Sequence, residues 1–451
     1  MEQREMPTRV LGAFISGMEA VPVSVEVVMR DGLPGLSIAG MADAAVLEAR
    51  RRIRCAIQSC GFSMPRKRIT VVLHPGDVRK VGTALDLAIA VGILAASGQI
   101  PVKGADDLMF FGGLDLDGEV LPERGAVAVQ LLAHRFGRMP VVSPSSEISP
   151  RSGAALAVST LSDLRSDSLC RLSKVCPRSA SGREVDMLDV PGASSAKRAL
   201  AVAAASGRGV MLFGGTEEMR EMLAERASTV MPDMSAKEVD ECALVASVCG
   251  ESIAPALAGV RPYRKVGPDV SAASLVGGGR PVRPGEVSLS HGGVLHLLDA
   301  CEFRPLSVQM VAAAVRGGSV EVVRVEGKHT LPSSALVVAT GPDVDGCPRV
   351  CGALRPIVDL RAEVSTSDAC AAMSSAELRD SVERARAAAE ARGHGRFAVS
   401  SEIERAADLA VRGTSVERDI VLEIARTVAD MEGCEMVHMR HVEEATRLCV
   451  W

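Results

Sequence analysis

Val210-Met-Leu-Phe-Gly-Gly-Thr-Glu-Glu-Met-Arg-Glu-Met-Leu-Ala-Glu-Arg226 reads as an apolar strand, a tight turn and the first turns of a helix. A phosphate-binding loop has this layout, with the spacing G-x-x-x-x-G-K-[ST]. Its glycines let backbone N–H groups converge on the phosphates, its lysine reaches their far end and its hydroxyl holds Mg²⁺. Gly214 begins that pattern, with Gly215 beside it. Counting on, Met219 takes the place of the second glycine, Arg220 that of the lysine and Glu221 that of the hydroxyl, while Glu217 and Glu218 fall inside the loop. The stretch therefore predicts the frame of a nucleotide site without its chemistry. One carboxylate held about 4 Å from a phosphate charge costs about 4 kcal/mol at an effective dielectric of about 20. Each non-glycine residue forced left-handed costs roughly 1–2 kcal/mol more. A helix terminus returns only about 0.3–2 kcal/mol, so no ATP binding is expected here even though Arg220 keeps a positive charge.

Working outward, 451 residues exceed one core, and domains of roughly 100–200 residues predict three. The segments are 1–165, a Ser/Arg/Asp-rich linker at 166–187 that carries Cys170, Cys176 and Pro177, then 188–365 and 366–451. A net charge of −5 excludes a globally basic nucleic-acid binder and leaves a local basic groove open. Twelve cysteines are scattered along a chain with no secretory leader, and the apolar runs fall short of the roughly 18 residues that span a bilayer. A cytoplasmic protein with reduced thiols and no membrane partner is expected. One Trp, one Tyr and eight Phe are too few for base-stacking platforms. Ala, Val, Leu and Met must build the cores.

The first segment is α+β in pattern. Val21, Val23, Val25 and Val27 alternate as in a half-buried strand, the turn Asp31-Gly-Leu-Pro-Gly35 follows, and Leu36–Ala39 is a second strand. Asp43 caps a helix to about Ser59 that bears Arg50, Arg51, Arg52 and Arg54, a solvated face or a phosphate-backbone contact. Arg68–Leu73 is a strand, Ala84–Ala96 a helix, and Leu108–Val120 has the pattern of a hairpin turning at Asp117-Gly118. From Ser374 onward apolar residues recur at helical period, most clearly over Asp419–Gly433.

Several blocks carry a resemblance to a known family. Gly32-Leu-Pro-Gly35, Met41–Val46, Lys67-Arg-Ile-Thr70, Leu85–Ile89, Gly92–Ile100 and Gly112–Glu119 closely resemble the amino-terminal domain of the YifB/ComM family, the Mg-chelatase-like AAA+ proteins. Arg261–Arg264, Ser274–Gly279 and Arg283–His291 resemble the stretch before its second ATPase motif. The resemblance implies an amino-terminal domain similar to the ribosomal-S5-like fold of the Lon protease domain, an AAA+ α/β core with a phosphate loop, and a carboxy-terminal helical lid. Lon proteases work through a serine and a lysine. Asp86 and Leu87 stand where that serine would be and Val127 where the lysine would be, which removes the nucleophile and its base.

The resemblance also locates the other ATPase positions. In Walker B an apolar strand ends in Asp-Glu, the Asp on Mg²⁺ and the Glu orienting water; here Leu298 and Asp299 occupy those places. A one-residue slip would offer Asp299 to the metal and put Ala300 at the Glu position. Gly341 replaces the polar sensor asparagine. Ile357 stands at the arginine that reaches a neighbouring subunit, with Arg355 two residues away, and Val416 stands at the second sensor arginine, near Arg418. Cys347 and Cys351 lack the second pair or His partner of a zinc site, and His291 and His296 read as core residues. Intact relatives are ATP- and Mg²⁺-dependent rings, and ComM-type members are DNA branch-migration helicases linked to recombination and natural transformation. The expectation is therefore a degenerate member acting as a scaffold or interaction protein, with no catalytic residue, metal or cofactor. It would form a homo-oligomeric or mixed ring with an intact paralogue, with DNA as a further partner. The alternative is a residual ATP-binding DNA motor using Arg220 and Asp299.

Overall fold

The computed structural model describes residues 7–40, 43–101, 105–165, 185–324, 327–342, 352–365, 373–393, 399–414 and 416–449. The chain opens with β1 (Thr8–Ser16), β2 (Glu19–Arg30), β3 (Gly35–Ala39), β4 (Arg68–His74), β5 (Leu108–Phe110), β6 (Gly113–Leu114), β7 (Val120–Leu121), β8 (Met139–Val142) and β9 (Leu156–Ala157). A mixed sheet takes the order β3-β4-β2-β1-β5-β8-β9. Val23, Val25 and Val27 are buried on β2 while Ser24 and Glu26 are only partly covered, as period-two alternation dictates. The helix Asp86–Ala96 lies so close to this face that a Cβ at Gly92 would stand 2.8 Å from Val27 Cγ2. Asp43 does cap the helix Ala44–Ser59, its carboxylate accepting the Val46 N–H at 2.9 Å. Arg52 departs from the expected solvated face and pairs with Asp86 at 2.9 Å.

The expected hairpin turning at Asp117-Gly118 forms, between β6 and β7, but its extent over 108–120 is corrected. β5 runs parallel to both β1 and β8 inside the seven-stranded sheet, and only β6 and β7 pair as a short antiparallel hairpin. Phe110 is fully buried, and a three-residue apolar strand covered on both faces carries no alternation that would reveal its partners.

The second sheet is wholly parallel. It contains β10 (Gly209–Phe213), β11 (Tyr263–Val266), β12 (Val294–Leu297), β15 (Leu336–Thr340) and β16 (Val358–Glu363), in the order β11-β12-β15-β10-β16; β13 (Ser319–Arg324) and β14 (Gly327–Pro332) form a separate hairpin. Parallel strands are covered on both faces, which explains their unbroken apolar runs. Val210 and Leu212 face one core and Met211 the other. The alanine-rich helix Ser194–Ser206 packs closely on the first face. The helices Ser375–Arg392, Ser401–Ala410, Arg418–Met431 and Met439–Cys449 join that same apolar core, which runs without a break from Met187 to Cys449. Asp186 and Met187, read as the end of the linker, start this core: Asp186 caps the turn Met187–Asp189 and Met187 is fully buried.

One polar chain crosses the buried sheet. Tyr263 Oη lies 2.8 Å from His296 Nδ1, and His296 Nε2 lies 2.9 Å from Thr340 Oγ1. Burial first, and the Lys265 charge second, push the His296 imidazole down from 6.5 to about 3. The folded state keeps the ring neutral while the unfolded chain protonates it. Its contribution to stability is therefore complete above 6.5 and is lost as pH falls from 6.5 toward 3. Between about pH 7 and pH 5 this one group should cost the protein about 2 kcal/mol. Urea unfolding of His296→Gln should lack that part of the pH dependence, and equal slopes for both proteins would show that the ring is not held neutral.

Candidate nucleotide site

β10 ends at Phe213 and the next helix begins at Glu217, so only Gly214, Gly215 and Thr216 lie between them. Gly214 and Gly215 are left-handed, at φ +73° and +56°, and the close approach of Val364 would put a Gly215 Cβ 2.8 Å from its carbonyl oxygen. The Gly214 N–H donates to the Pro342 carbonyl at 3.3 Å. Thr216 caps the helix by accepting the Met219 N–H at 3.3 Å. Met219, counted as the second loop glycine, is thus already helical, its amide is engaged, and its side chain packs partly on the core. Of the amides around the turn, that of Gly214 is engaged on Pro342 and those of Met219 and Arg220 on Thr216.

Arg220 closes the turn. It is buried, and its Nη1 donates to the carbonyls of Gly214 at 2.6 Å and Gly215 at 3.1 Å; its Nε is buried without a partner. The expected reach of this charge toward a phosphate is corrected, because the guanidinium folds back onto the loop's own carbonyls. The inward carboxylate expected at this turn is corrected as well: Glu217 and Glu218 are exposed, and Glu221 pairs with Lys265 of β11 at 3.3 Å.

Leu298, Asp299 and Gly341 follow their strands at the same carboxyl ends of the sheet, where ligands bind in open α/β folds, whereas Ile357 precedes β16 at the opposite, amino end beside Gly209. Leu298 extends β12 by one bond, its N–H donating to Val266 O at 2.9 Å. Asp299 is left-handed at φ +45°, and its carbonyl accepts the Glu302 N–H at 2.8 Å to begin a short 3₁₀ turn. Gly341 bonds to Leu212 O at 3.1 Å, and a Cβ there would meet Met211 Cε at 3.0 Å, so the sensor position is filled from below. Ile357 is buried in the core on the Met211 face of the sheet, and Val416 packs on the rim of the other core. Arg418 pairs with Asp408 at 3.6 Å and Asp419 at 3.3 Å. The structure brings Gly214, Gly215, Met219, Arg220 and Glu221 into one turn and helix, with Leu298, Asp299 and Gly341 beside them. Sequence reading missed the cap at Thr216, although a threonine before Glu-Glu is a helix-start signal. Lys265, 44 residues from its partner, left no local signal.

In the other unit, Leu87 is fully buried and Val127 packs against Cys242, Ala243, Ile253 and Ala256 across the contact between the two sheets' units. Burial pushes the Asp86 carboxyl up to about 7 against the opposing pull of Arg52. No serine or lysine of the Lon type stands at these positions. Cys347 and Cys351 lie outside the described residues. Glu432, Cys434 and His441 converge within 4.8 Å, a group unsuited to a metal. His441 Nδ1 accepts the His438 N–H at 3.0 Å, and Arg440 already lies on Glu432 at 2.8 Å, on His441 Nε2 at 3.2 Å and on Cys434 Sγ at 3.4 Å.

Comparison with known proteins agrees with a mixed α/β protein assembled from magnesium-chelatase-type segments. Residues 25–147 match the family model "Subunit ChlI of Mg-chelatase", and residues 186–371 match "Magnesium chelatase, subunit ChlI". The uncharacterised protein YifB of Escherichia coli (strain K12) is 33% identical over 340 residues, covering 73% of this chain and 67% of its own length. Competence protein ComM of Haemophilus influenzae is 29% identical over 485 residues, covering 95% of this chain and 94% of its own. The chain belongs to the YifB/ComM family of Mg-chelatase-like proteins. No helix among the described residues is long and apolar enough to cross a membrane.

Arg220→Ala should destabilise the protein by about 2–4 kcal/mol, from two lost charge-assisted bonds, two orphaned carbonyls and a cavity. Denaturant unfolding measures this. A change below about 0.5 kcal/mol, the usual effect of a surface substitution, would show that the guanidinium does not hold the turn.

Proposed function

We propose that this chain is a non-hydrolysing member of its family, a scaffold or interaction protein that keeps the fold and has lost the ATPase. The observation that carries this reading is the back-bonded Arg220 in a three-residue turn. Leu298, Gly341 and Ile357 support it, each an apolar or side-chain-free residue at a position where hydrolysis needs a polar one. The parallel order β11-β12-β15-β10-β16 supports the AAA+-type core. In the same reading residues 1–165 are the Lon/S5-like unit, 166–187 the linker, 188–365 the core and 366–451 the helical lid. No ATP, Mg²⁺ or other cofactor takes part. The name of the Haemophilus relative, a competence protein, supports a place in cytoplasmic DNA uptake or recombination. There the chain would join a ring of its own copies, or a mixed ring with an intact paralogue, on DNA.

The purified protein should hydrolyse ATP no faster than Asp299→Ala, since each lost ATPase group is worth orders of magnitude in rate. Mg²⁺-dependent turnover that vanishes in the Asp299 variant would sink the proposal in favour of a residual motor. The combined variant Glu217→Gly, Met219→Gly, Arg220→Lys and Glu221→Thr should gain Mg²⁺-ATP binding by calorimetry. An unchanged blank would show that the surrounding frame has closed beyond repair.

A further inference from the structure

A cavity of about 350 Å³ lies between the two sheets' units, with Val78–Ala84, Glu123 and Arg124 on one side and Gly279–Arg283 with His329 on the other. That volume falls within the range of small-molecule sites. Four guanidinium groups line it, Arg79 and Arg124 from the first unit and Arg280 and Arg283 from the second. Among the described residues none of the four makes a side-chain hydrogen bond or an ion pair.

The carboxylates at the cavity are bonded within its own wall, and the Glu123 charge acts on its neighbour Arg124. Asp43 accepts the Val46 N–H at 2.9 Å and the Gly82 N–H at 3.3 Å, and Glu123 accepts the Thr83 hydroxyl. Arg124 is partly buried. Burial, and then the neighbouring Arg283, pull its guanidinium below its ordinary value, so the folded protein holds two like charges together across the contact. Burial likewise raises the Glu123 carboxyl. Arg79, Arg280 and Arg283 are exposed and Arg124 is half-buried, and all four border one concavity from segments far apart in sequence. A positive potential focused by low-dielectric walls attracts an anion. The guanidinium fork matches a phosphate oxygen pair.

We propose that this cavity binds a phosphorylated, hydroxyl-bearing small molecule of sugar-phosphate size, with the phosphate between Arg124 and Arg283 and the hydroxyl end at Glu123 and Thr83. The site lies apart from the turn at Gly214 and does not depend on nucleotide turnover. Because its two halves come from different units, occupancy ties the units together. A short concavity lined by Val78, Val81 and Val282 favours a small ligand over a nucleic-acid strand, which needs an extended groove and stacking faces.

Calorimetry of the full chain at low salt with ribose 5-phosphate and with pyrophosphate tests this. Both should bind, each should raise the thermal midpoint, and ribose 5-phosphate should lose affinity in Thr83→Val while pyrophosphate should not. Arg124→Gln and Arg283→Gln should each weaken both ligands roughly tenfold, as expected for one charged hydrogen-bonding partner, and Arg124→Lys should fall between. Arg220→Lys should leave both affinities unchanged. Unaltered thermal unfolding of the ligand-free variants shows that they fold. Absence of binding by either probe overturns the site, and so does equal binding in the Arg124→Gln, Arg283→Gln double variant. Tighter binding of a short oligothymidylate through these same arginines, undisturbed by pyrophosphate, would replace the small-molecule reading with a nucleic-acid one.

Discussion

Two hydrogen bonds from one guanidinium decide what the carboxyl edge of the parallel sheet can be. Once Arg220 donates to Gly214 and Gly215, the loop carbonyls are satisfied inward, the helix starts directly at Glu217, and the Met219 amide is engaged on Thr216. The other motif positions serve packing: Leu298 lengthens a strand, Gly341 makes room for Met211, and Ile357, at the amino end of β16, fills a core. Asp299 is the exception. A carboxylate-bearing residue in left-handed backbone costs roughly 1–2 kcal/mol, and the 3₁₀ turn that follows it offsets that cost by one backbone bond.

The same economy shows in the continuous core. Alanines on the helix Ser194–Ser206 let the sheet and the carboxy-terminal helices approach closely, and charged pairs then fix their geometry. Asp430, almost fully buried, is held by Arg392 at 2.5 Å and Arg426 at 2.8 Å, and Arg198 reaches Glu444 at 2.9 Å. A buried carboxylate is tolerable only because both guanidinium partners are present. The contact between the two sheets' units is built more lightly. Ser247 receives the Val127 N–H at 3.1 Å, and Glu147 accepts the Ile253 N–H at 2.6 Å, around a small apolar cluster.

Much of this was legible in the chain itself. The valine alternation of β2, the unbroken apolar runs of β10 and β15 and the Asp43 cap announce their structures because local periodicity and capping chemistry suffice. The motif positions were countable for the same reason, since flanking blocks set their register. What stayed hidden is directional or long-range. Arg220 reads as a reaching cation, and only the fold reveals that it turns back. Glu221 reads as a repelling charge until β11 brings Lys265 to it, and β5 reads as half of a hairpin until β1 and β8 claim it. The four arginines of the inter-unit cavity form no motif at all, because they meet only when two units dock.

Tyr263 is the sole tyrosine in the chain, and it lies at the end of the buried chain through His296 to Thr340. Burial raises its phenol above the ordinary tyrosine value, and the imidazole beside it offers a route for quenching its excited state. The protein therefore carries a built-in optical reporter on an edge strand. At about pH 10, where a freed phenol ionises, ultraviolet absorbance of the phenolate would report molecules in which β11 has come away from β12. Peeling of this edge could then be followed in the native chain without a label.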